Sequence, residues 1–127
     1  MESEDKVNKI RILIAEDEEY ADLHLSILLK EYAREIIHAK TGTETVRICN
    51  EEPDIDLVMM DIRMPEMDGY EATRKIREFN SDIIIIAQTA YAISGEAEKA
   101  VNAGCNDYIS KPINKAVLIS IIKKYMP

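Results

Sequence analysis

Side chains suited to phosphoryl chemistry follow four separate apolar segments of this sequence. Glu16 and Asp17 follow the first segment, Asp61 follows another, and Thr89 and Lys111 end two more. A carboxylate can attack phosphorus as a nucleophile, whereas a hydroxyl and an ammonium can hold the oxygens of a transferring phosphoryl group. Three converging carboxylates would repel one another unless a cation compensated them, and oxygen ligands alone suit Mg²⁺. These residue types predict an aspartyl-phosphate site with Asp61 as the nucleophile, if the fold brings them together.

Each of these residues also has an ordinary explanation when it is taken alone. The acidic run over residues 16–19 could be the first turn of a helix, which the helix dipole makes favourable for carboxylates. Asp61 could be a turn residue, and Thr89 and Lys111 could lie on the solvated surface. The hypothesis of a site therefore depends on their joint placement at the ends of strands.

An alternation of strands and helices is predicted to position these residues. Strands are predicted over residues 10–15, 35–40, 55–60, 81–88 and 106–110. Helices are predicted over residues 18–33, 43–51, 69–79, 95–103 and 114–125. Strict alternation of this kind indicates a parallel sheet that is covered by helices on both faces.

The strands differ in how apolar they are, and this difference predicts their order. The first, third and fourth are continuous apolar runs, as expected for strands that are buried on both faces. The second and fifth are shorter and more polar, as expected at the edges of a sheet. The resulting order, 2-1-3-4-5, is that of a flavodoxin-like (βα)5 fold, with a crevice at the carboxyl ends of strands one and three. Asp17 and Asp61 are then expected to meet at that crevice.

Several helix ends and one helix face can also be predicted. Asp68 with Glu71 forms a capping-box arrangement at the start of the third helix. Ser94 and Gly104 are the predicted N-cap and C-cap of the fourth helix. The last helix is expected to turn five apolar side chains toward the core: Val117, Leu118, Ile121, Ile122 and Tyr125.

The composition excludes several classes of protein. The chain has 127 residues, with 24 Asp and Glu against 16 Lys and Arg, a net charge of −8. This acidity argues against direct binding to nucleic acid or to an anionic membrane, and it favours a soluble monomer. The acidic start is not a signal peptide, and no apolar run approaches the ~20 residues of a membrane span. Cys49 and Cys105 match no metal-binding spacing and are expected to be buried free thiols in a reducing cytoplasm.

The domain organisation is predicted to be simple. Residues 1–9 are polar and are expected to be a linker or a disordered N-terminus, and residues 10–127 are expected to form one domain. The fourth predicted helix, over residues 95–103, carries only small apolar side chains, so it should be loosely anchored. We therefore expect residues 91–110 and the last helix to form a face that changes between two states.

Four motifs make the chain resemble the receiver domain of two-component response regulators, over residues 10–125. The motifs are Ile14-Ala15-Glu16-Asp17, Met60-Asp61-Ile62-Arg63-Met64-Pro65 through Asp68-Gly69, Gln88-Thr89-Ala90, and Tyr108-Ile109-Ser110-Lys111-Pro112. The resemblance implies a phosphoacceptor that is switched by phosphoryl transfer from a phosphohistidine on a histidine kinase or a histidine phosphotransfer domain. Such a domain catalyses its own phosphorylation and dephosphorylation and is not a multiple-turnover enzyme.

The resemblance also implies a role for residues of the acidic site. Asp61 would be the phosphoacceptor. Glu16, Asp17 and Asp61 would hold Mg²⁺, and the backbone carbonyl of Arg63 would be a further ligand of the ion.

The remaining family positions concern the phosphoryl group and the switch. Lys111 would bind the phosphoryl group, and Thr89 would be the switch hydroxyl. Tyr108 would be the switch aromatic residue, which turns inward when Thr89 moves toward the phosphoryl group. Pro112 matches a proline that follows a cis peptide bond.

The kind of receiver and the competing functions stay open at this point. A single helix follows Lys111, so we expect either a stand-alone response regulator or the receiver of a hybrid histidine kinase, which residues 89–108 resemble more. Either would be cytoplasmic or the cytoplasmic domain of a membrane-bound kinase. A flavodoxin is disfavoured because the acidic loop over residues 16–19 would repel a phosphate, and no P-loop sequence is present. The alternative is a pseudo-receiver that docks partners without phosphorylation.

Overall fold

Strands and helices alternate along the chain in the computed structural model, which describes residues 9–90 and 95–126. The strands are β1 (Ile10–Ala15), β2 (Ala33–Ala39), β3 (Leu57–Asp61), β4 (Ile84–Thr89) and β5 (Asp107–Ser110). The helices are α1 (Glu19–Leu29), α2 (Gly42–Glu51), α3 (Gly69–Arg77), α4 (Glu96–Ala103) and α5 (Lys115–Tyr125), and a short 3-10 helix, Lys30–Tyr32, follows α1. The linker expected over residues 1–9 lies, apart from Lys9, outside the described residues.

The five strands form one parallel sheet in the order β2-β1-β3-β4-β5, which confirms the predicted flavodoxin-like topology. In the register of this sheet, Ala15 pairs with Met60, and Asp61 pairs with Gln88. The ends of β1, β3 and β4 therefore lie level with one another, so the residues that follow these strands share one edge.

Alternate side chains of the central strands pack into two cores on opposite faces of the sheet. On one face, strand residues pack with α1 and α5, and this core contains Ile12, Ile14, Leu25, Leu57, Met59, Ile86, Ile109, Leu118 and Ile122. On the other face, strand residues pack with α2, α3 and α4, and this core contains Leu13, Ile48, Val58, Met60, Ala72, Ile76, Ile85 and Ala100. Burial on both faces explains the continuous apolar runs of β1, β3 and β4.

Several predicted details of the helices and cysteines are confirmed. The Asp68 side chain accepts a hydrogen bond from the Glu71 backbone N–H at 2.8 Å, which confirms Asp68 as the N-cap of α3 and is one of the two bonds of the predicted capping box. Gly104 ends α4 in the left-handed conformation. Cys49 and Cys105 are buried free thiols. The N-cap of α4 is Gly95, and the predicted cap Ser94 lies outside the described residues.

Other boundaries and one inward residue differ from the prediction. The Asn80 side chain accepts hydrogen bonds from the backbone N–H groups of Asp82 and Ile83, so residues 80–83 form a turn and β4 starts only at Ile84. Val117 was expected to face the core but is 47% exposed. The inward face of α5 is centred on Leu118, which lies one residue and about 100° further around the helix.

Both ends of the described domain lie at the edge of the sheet opposite to the ends of β1 and β3. Ile10 starts β1 beside Ala33. At the end of α5, the Tyr125 hydroxyl donates to the backbone carbonyl of Asn106 at 2.8 Å, immediately before β5 starts. Within the part of the chain that the structure describes, no helix combines the length and apolarity required to span a membrane.

Candidate functional site

The carboxyl edge of the sheet contains a cleft that brings the predicted site residues together. Its walls include Glu16, Asp17, Asp61, Thr89 and Lys111. These residues come from the ends of β1, β3, β4 and β5, so their meeting follows from the strand order. The topology therefore produces the juxtaposition that the sequence pattern predicted.

The acidic pair after β1 contains one buried and one exposed carboxylate. Glu16 is fully buried, and its backbone N–H donates to the carbonyl of Ala39 at 3.0 Å, which extends the pairing of β1 with β2. One Glu16 carboxylate oxygen accepts a hydrogen bond from the Glu18 backbone N–H at 3.2 Å. Asp17 is exposed at the mouth of the cleft. The two carboxylates can thus face one site from different depths.

Asp61 is the last residue of β3, and α3 packs directly against it. Asp61 is 5% exposed, and one of its carboxylate oxygens accepts from the Arg63 backbone N–H at 3.4 Å. The N–H of Gly69 donates to the Ile62 carbonyl at 2.9 Å. A Cβ atom at Gly69 would lie 2.3 Å from the backbone oxygen of Asp61, so glycine is needed for this close approach. The loop between β3 and α3 therefore fixes the position of the Asp61 carboxylate.

Lys111 supplies a positive charge between two of the carboxylates. Its Nζ lies 2.8 Å from Oε1 of Glu16 and 3.2 Å from Oδ1 of Asp61. The backbone N–H of Lys111 donates to the carbonyl of Thr89 at 2.8 Å, which anchors the lysine beside the end of β4. The Lys111–Pro112 peptide bond is cis, as the sequence predicted.

Burial and neighbouring charges change the proton affinities of these groups. Burial is the largest cause that raises the pKa of Asp61 to about 7; the negative charge of Glu16 adds to it, and Lys111 and the Arg63 N–H oppose it. Burial would lower the pKa of Lys111, but the hydrogen bonds and charges of Glu16 and Asp61 outweigh it and raise that pKa. A second cation near Asp61 would favour its ionised, nucleophilic form.

The donor set of the cleft suits such a cation. Among the described residues, Glu16, Asp17 and Asp61 each place a carboxylate oxygen within 4.8 Å of those of the other two. All three of these ligand atoms are carboxylate oxygens, which are ligands that Mg²⁺ prefers. These residues could therefore hold a divalent cation, and the role of the Arg63 carbonyl stays a prediction.

Of the residues predicted to act in a switch, Thr89 shares the cleft with this acidic cluster. Thr89 ends β4, is 3% exposed and forms part of the cleft wall. Tyr108, in β5, is half-buried against the core that contains α4. Pro112 is exposed. The structure thus places Thr89 in the cleft wall, whereas Tyr108 and Pro112 line a different pocket, beside β5 and α5.

The sequence analysis assigned no role to several residues at or beside the cleft. Gln88 and Tyr70 line the cleft, and the Tyr70 hydroxyl donates to Glu96 of α4 at 2.7 Å. Burial is the main cause that raises the pKa of Tyr70. In the sequence, the one sign that Gln88 could have a role was its polar amide within the apolar run of β4.

An exposed apolar stripe lies on the helix that begins beside the cleft. Tyr20, Leu23 and Ile27 of α1 are 77%, 57% and 64% exposed. They are spaced three and four residues apart, so they share one face of the helix. We refer to these three residues as the α1 stripe. This spacing was visible in the sequence, but exposure was needed to distinguish it from a core face.

Known proteins share both the sequence and the fold. A sequence model described as the response regulator receiver domain matches residues 12–123. The chain is 36% identical over 120 residues to Hybrid signal transduction histidine kinase I of Dictyostelium discoideum, covering 88% of this chain and 7% of that protein. It is 34% identical over 117 residues to Polar-differentiation response regulator DivK of Brucella ovis, covering 91% of this chain and 94% of that protein.

Two solved structures extend this comparison. One is the co-crystal structure of the Saccharomyces cerevisiae histidine phosphotransfer signaling protein Ypd1 and the receiver domain of its downstream response regulator Ssk1, with a TM-score of 0.86, 32% identity and coverage of 93% of this chain and 89% of that chain. The other is the receiver domain of sensor histidine kinase PA1611 from Pseudomonas aeruginosa PAO1, with a magnesium ion coordinated in the active site cleft. Its TM-score is 0.82 at 34% identity, with coverage of 93% of this chain and 98% of that chain.

The relatives differ greatly in length. The chain spans 7% of the Dictyostelium hybrid kinase but 94% of DivK. In both cases most of this chain is matched, as it is by the family model over residues 12–123. The chain therefore belongs to the response regulator receiver domain family of two-component signalling.

Proposed function

We propose that residues 10–127 form a phosphoacceptor receiver in which Asp61 accepts a phosphoryl group from a phosphohistidine. The observation that carries this proposal is the position of the Asp61 carboxylate, 3.2 Å from the Lys111 ammonium and within 4.8 Å of two other carboxylates. An Asp61 oxygen forms a bond to phosphorus while the bond between phosphorus and the imidazole nitrogen breaks. The imidazole leaves with the electron pair of that bond and is protonated.

The residues around Asp61 have distinct tasks in this reaction. Glu16, Asp17, Asp61 and the Arg63 carbonyl would hold Mg²⁺, which when bound supplies positive charge that favours ionised Asp61 and compensates the phosphoryl oxygens. Lys111 pairs with an oxygen of the transferring group. Because phosphoryl transfer depends mostly on positioning and charge, no further general base is needed.

Phosphorylation of Asp61 would then change the conformation of the switch residues. The Thr89 hydroxyl donates to a phosphoryl oxygen, and Tyr108 turns inward toward the space that Thr89 leaves. Helix α4 contributes only Ala100 and Ala103 as buried side chains, so little apolar area holds it in place. The signalling face comprises residues 91–110 and α5, of which residues 91–94 lie outside the described part.

The phosphohistidine donor is a histidine kinase or a histidine phosphotransfer domain, and we infer that it docks on the α1 stripe. The helix α1 begins two residues after Asp17, so the α1 stripe runs along the helix away from the cleft, with Tyr20 at the end nearest to its mouth. Exposed apolar patches of this kind are typical of protein interfaces. The stripe could thus position a donor whose phosphohistidine must enter the cleft.

The biological setting is proposed from the sequence and the relatives together. The protein works in the cytoplasm as a monomer. It is either a stand-alone regulator, similar in length to DivK, or the receiver part of a hybrid kinase. It hydrolyses its own phosphoaspartate and turns over no other substrate.

Intact-mass measurement tests the proposed chemistry. The protein is incubated with Mg²⁺ and acetyl phosphate, beside an Asp61→Asn variant and a sample that contains EDTA. We expect one added phosphoryl group on the wild type and none in either control. No added mass with acetyl phosphate or with a phosphohistidine donor would instead favour a pseudo-receiver that acts by docking alone.

A further inference from the structure

Gln88 carries a buried carboxamide that has no hydrogen bond within the described part of the chain. The residue is 1% exposed, and neither Oε1 nor Nε2 has a partner among the described residues. Burial removes the hydrogen bonds of an amide to water, which destabilises a fold unless other partners replace them. Such groups are rare in native proteins, and each one needs a specific explanation.

The register of the sheet places Gln88 between two charged residues of the site. Gln88 pairs with Asp61 of β3 on one side and with Ile109 of β5 on the other. Paired residues of a parallel sheet point to the same face, and Lys111 shares that face because it follows Ile109 by two residues. The Lys111 side chain therefore crosses β4 at Gln88 to come within 3.2 Å of Asp61.

The partners of Lys111 in this structure explain why the carboxamide is not used here. The ammonium has three N–H donors, and it contacts the carboxylates of Glu16 and Asp61 at 2.8 and 3.2 Å. A cation among the carboxylates would compete with Lys111 for Glu16, and a phosphoryl group on Asp61 would move the negative charge outward. Both changes would release the ammonium from its present position.

We propose that Gln88 is a positioning residue for Lys111 in the phosphorylated state. Its Oε1 atom then accepts a hydrogen bond from the Lys111 ammonium and holds that charge against the phosphoryl oxygens. No covalent step is involved, and the inference rests on the proposed phosphorylation of Asp61. The amide that has no partner among the described residues is thus the hydrogen-bond acceptor for Lys111 in the phosphorylated state.

The sequence offers a direct spectroscopic test, because Gln88 is the only glutamine in the chain. Glutamine labelled with ¹³C at Cδ and ¹⁵N at Nε2 gives a single side-chain carboxamide signal. We expect the Cδ resonance to move downfield when Mg²⁺ and beryllofluoride, a mimic of the phosphoryl group, are added together, and to stay in place in Asp61→Asn. If the backbone signals of Asp61 and Thr89 move but Cδ does not, the proposal for Gln88 is wrong. If no signal moves, the proposed phosphoacceptor function fails as well.

A variant separates positioning from a purely structural role. Gln88→Met keeps the length of the side chain and removes its hydrogen-bonding atoms, so we expect a higher Tm without ligands and a smaller rise in Tm on adding Mg²⁺ and beryllofluoride. In a Lys111→Met background, the same substitution should leave the ligand-induced rise unchanged, because the partner is already absent. An equal ligand-induced rise in the wild type and in Gln88→Met would overturn the proposal.

Discussion

The ammonium of Lys111 lies 2.8 Å from the fully buried carboxylate of Glu16, although the two residues are 95 positions apart in the sequence. This contact joins the end of β5 to the end of β1 across the two strands between them. It also compensates a carboxylate that has no access to water. The stability of the cleft and its chemistry are therefore coupled through one side chain.

Replacing Lys111 by methionine should destabilise the protein when no divalent cation is present. The substitution leaves Glu16 and Asp61 without a compensating charge, and we expect a loss of about 1–3 kcal/mol, because the Lys111 side chain is itself partly exposed to solvent. Mg²⁺ should restore part of this loss. Urea unfolding at neutral pH with and without Mg²⁺ measures both effects.

A matched control for this substitution is Lys115→Met. Lys115 is exposed, and its Nζ lies 3.8 Å from a carboxylate oxygen of Glu31. Exposed pairs contribute little, so the change should stay within about 0.5 kcal/mol and should not respond to Mg²⁺. Equal losses in the two variants would show that Lys111 does not compensate the buried carboxylates.

Asp61→Asn should stabilise the cation-free protein at neutral and alkaline pH. The pKa of Asp61 is raised from 3.8 to about 7, so the folded state binds this proton more tightly than the unfolded state. Stability of the wild type then decreases as the pH rises from about 4 to about 7 and stays lower above that range. Asparagine removes this dependence, and at alkaline pH we expect a gain of roughly 1–3 kcal/mol, allowing for the partial access of water.

The pH series itself provides the control for Asp61→Asn. In EDTA, the advantage of the variant over the wild type should shrink toward zero as the pH falls through the unfolded-state pKa of 3.8, because below that pH Asp61 is protonated in both the folded and the unfolded protein. A difference in unfolding free energy that stays constant across the series would contradict the raised pKa. Phosphorylation must be absent from the variant at every pH.

Gly69→Ala should affect both stability and phosphorylation. The added Cβ would lie 2.3 Å from the Asp61 carbonyl oxygen, so α3 or the end of β3 must move. We expect a loss of roughly 1–3 kcal/mol, as for other overpacked sites, and slower acceptance of phosphoryl groups from acetyl phosphate.

The control for this substitution is Gly95→Ala. The φ angle of Gly95 is +97°, and its Cβ would meet no atom within 4 Å, so alanine there should cost about 1 kcal/mol through backbone strain alone. A larger effect at Gly95 than at Gly69 would contradict the packing argument.

Arg11→Met should lower stability without changing the affinity of the cleft for Mg²⁺. Arg11 lies at the opposite edge of the sheet, where its guanidinium contacts Glu35 at 2.7 Å, Glu52 at 2.9 Å and Asp54. Without it these carboxylates repel one another, so the urea midpoint should fall. Arg11→Lys should lower stability less than Arg11→Met but should still leave the protein less stable than the wild type, because an ammonium lacks the planar set of N–H donors of a guanidinium. A change in Mg²⁺ affinity, measured by calorimetry, would show that the two edges are coupled.

Leu23→Asp should slow phosphoryl transfer from a protein donor and leave transfer from acetyl phosphate unchanged. Leu23 is at the centre of the α1 stripe, and a buried charge in a docked complex should cost about tenfold in transfer rate. The donor in this assay is a purified histidine phosphotransfer protein that phosphorylates the wild type. The control is Phe79→Asp, which changes an apolar side chain of 44% exposure remote from the cleft. Equal slowing by both variants would argue against docking on the α1 stripe.

The sheet order and the site were predictable because they depend on residue types at strand ends. Burial on two faces produced the apolar runs of β1, β3 and β4, and these runs fixed which strands were central. Once the order was known, Asp17 and Asp61 had to share an edge. The sequence could also indicate that Cys49 and Cys105 would be buried, since free cysteine packs as a small apolar residue.

The features that escaped prediction depend on packing rather than on pattern. Val117 and Leu118 are both apolar, and only the orientation of α5 against the sheet determines that Leu118 is the buried one. Tyr20, Leu23 and Ile27 have the spacing of a core stripe, but α1 buries a different face, centred on Leu25 and Leu29. The unpartnered amide of Gln88 could not be seen until the positions of its neighbours were known.

The location of the two ends of the described domain has a practical consequence. Ile10 and the end of α5 both lie on the side of the molecule that faces away from the cleft. A fluorophore or a surface linkage placed close to Ile10 or to the end of α5 would lie on that side. Coupling the protein to a surface at one of these two positions should therefore keep the cleft open to solution, and surface-based binding assays can use either position.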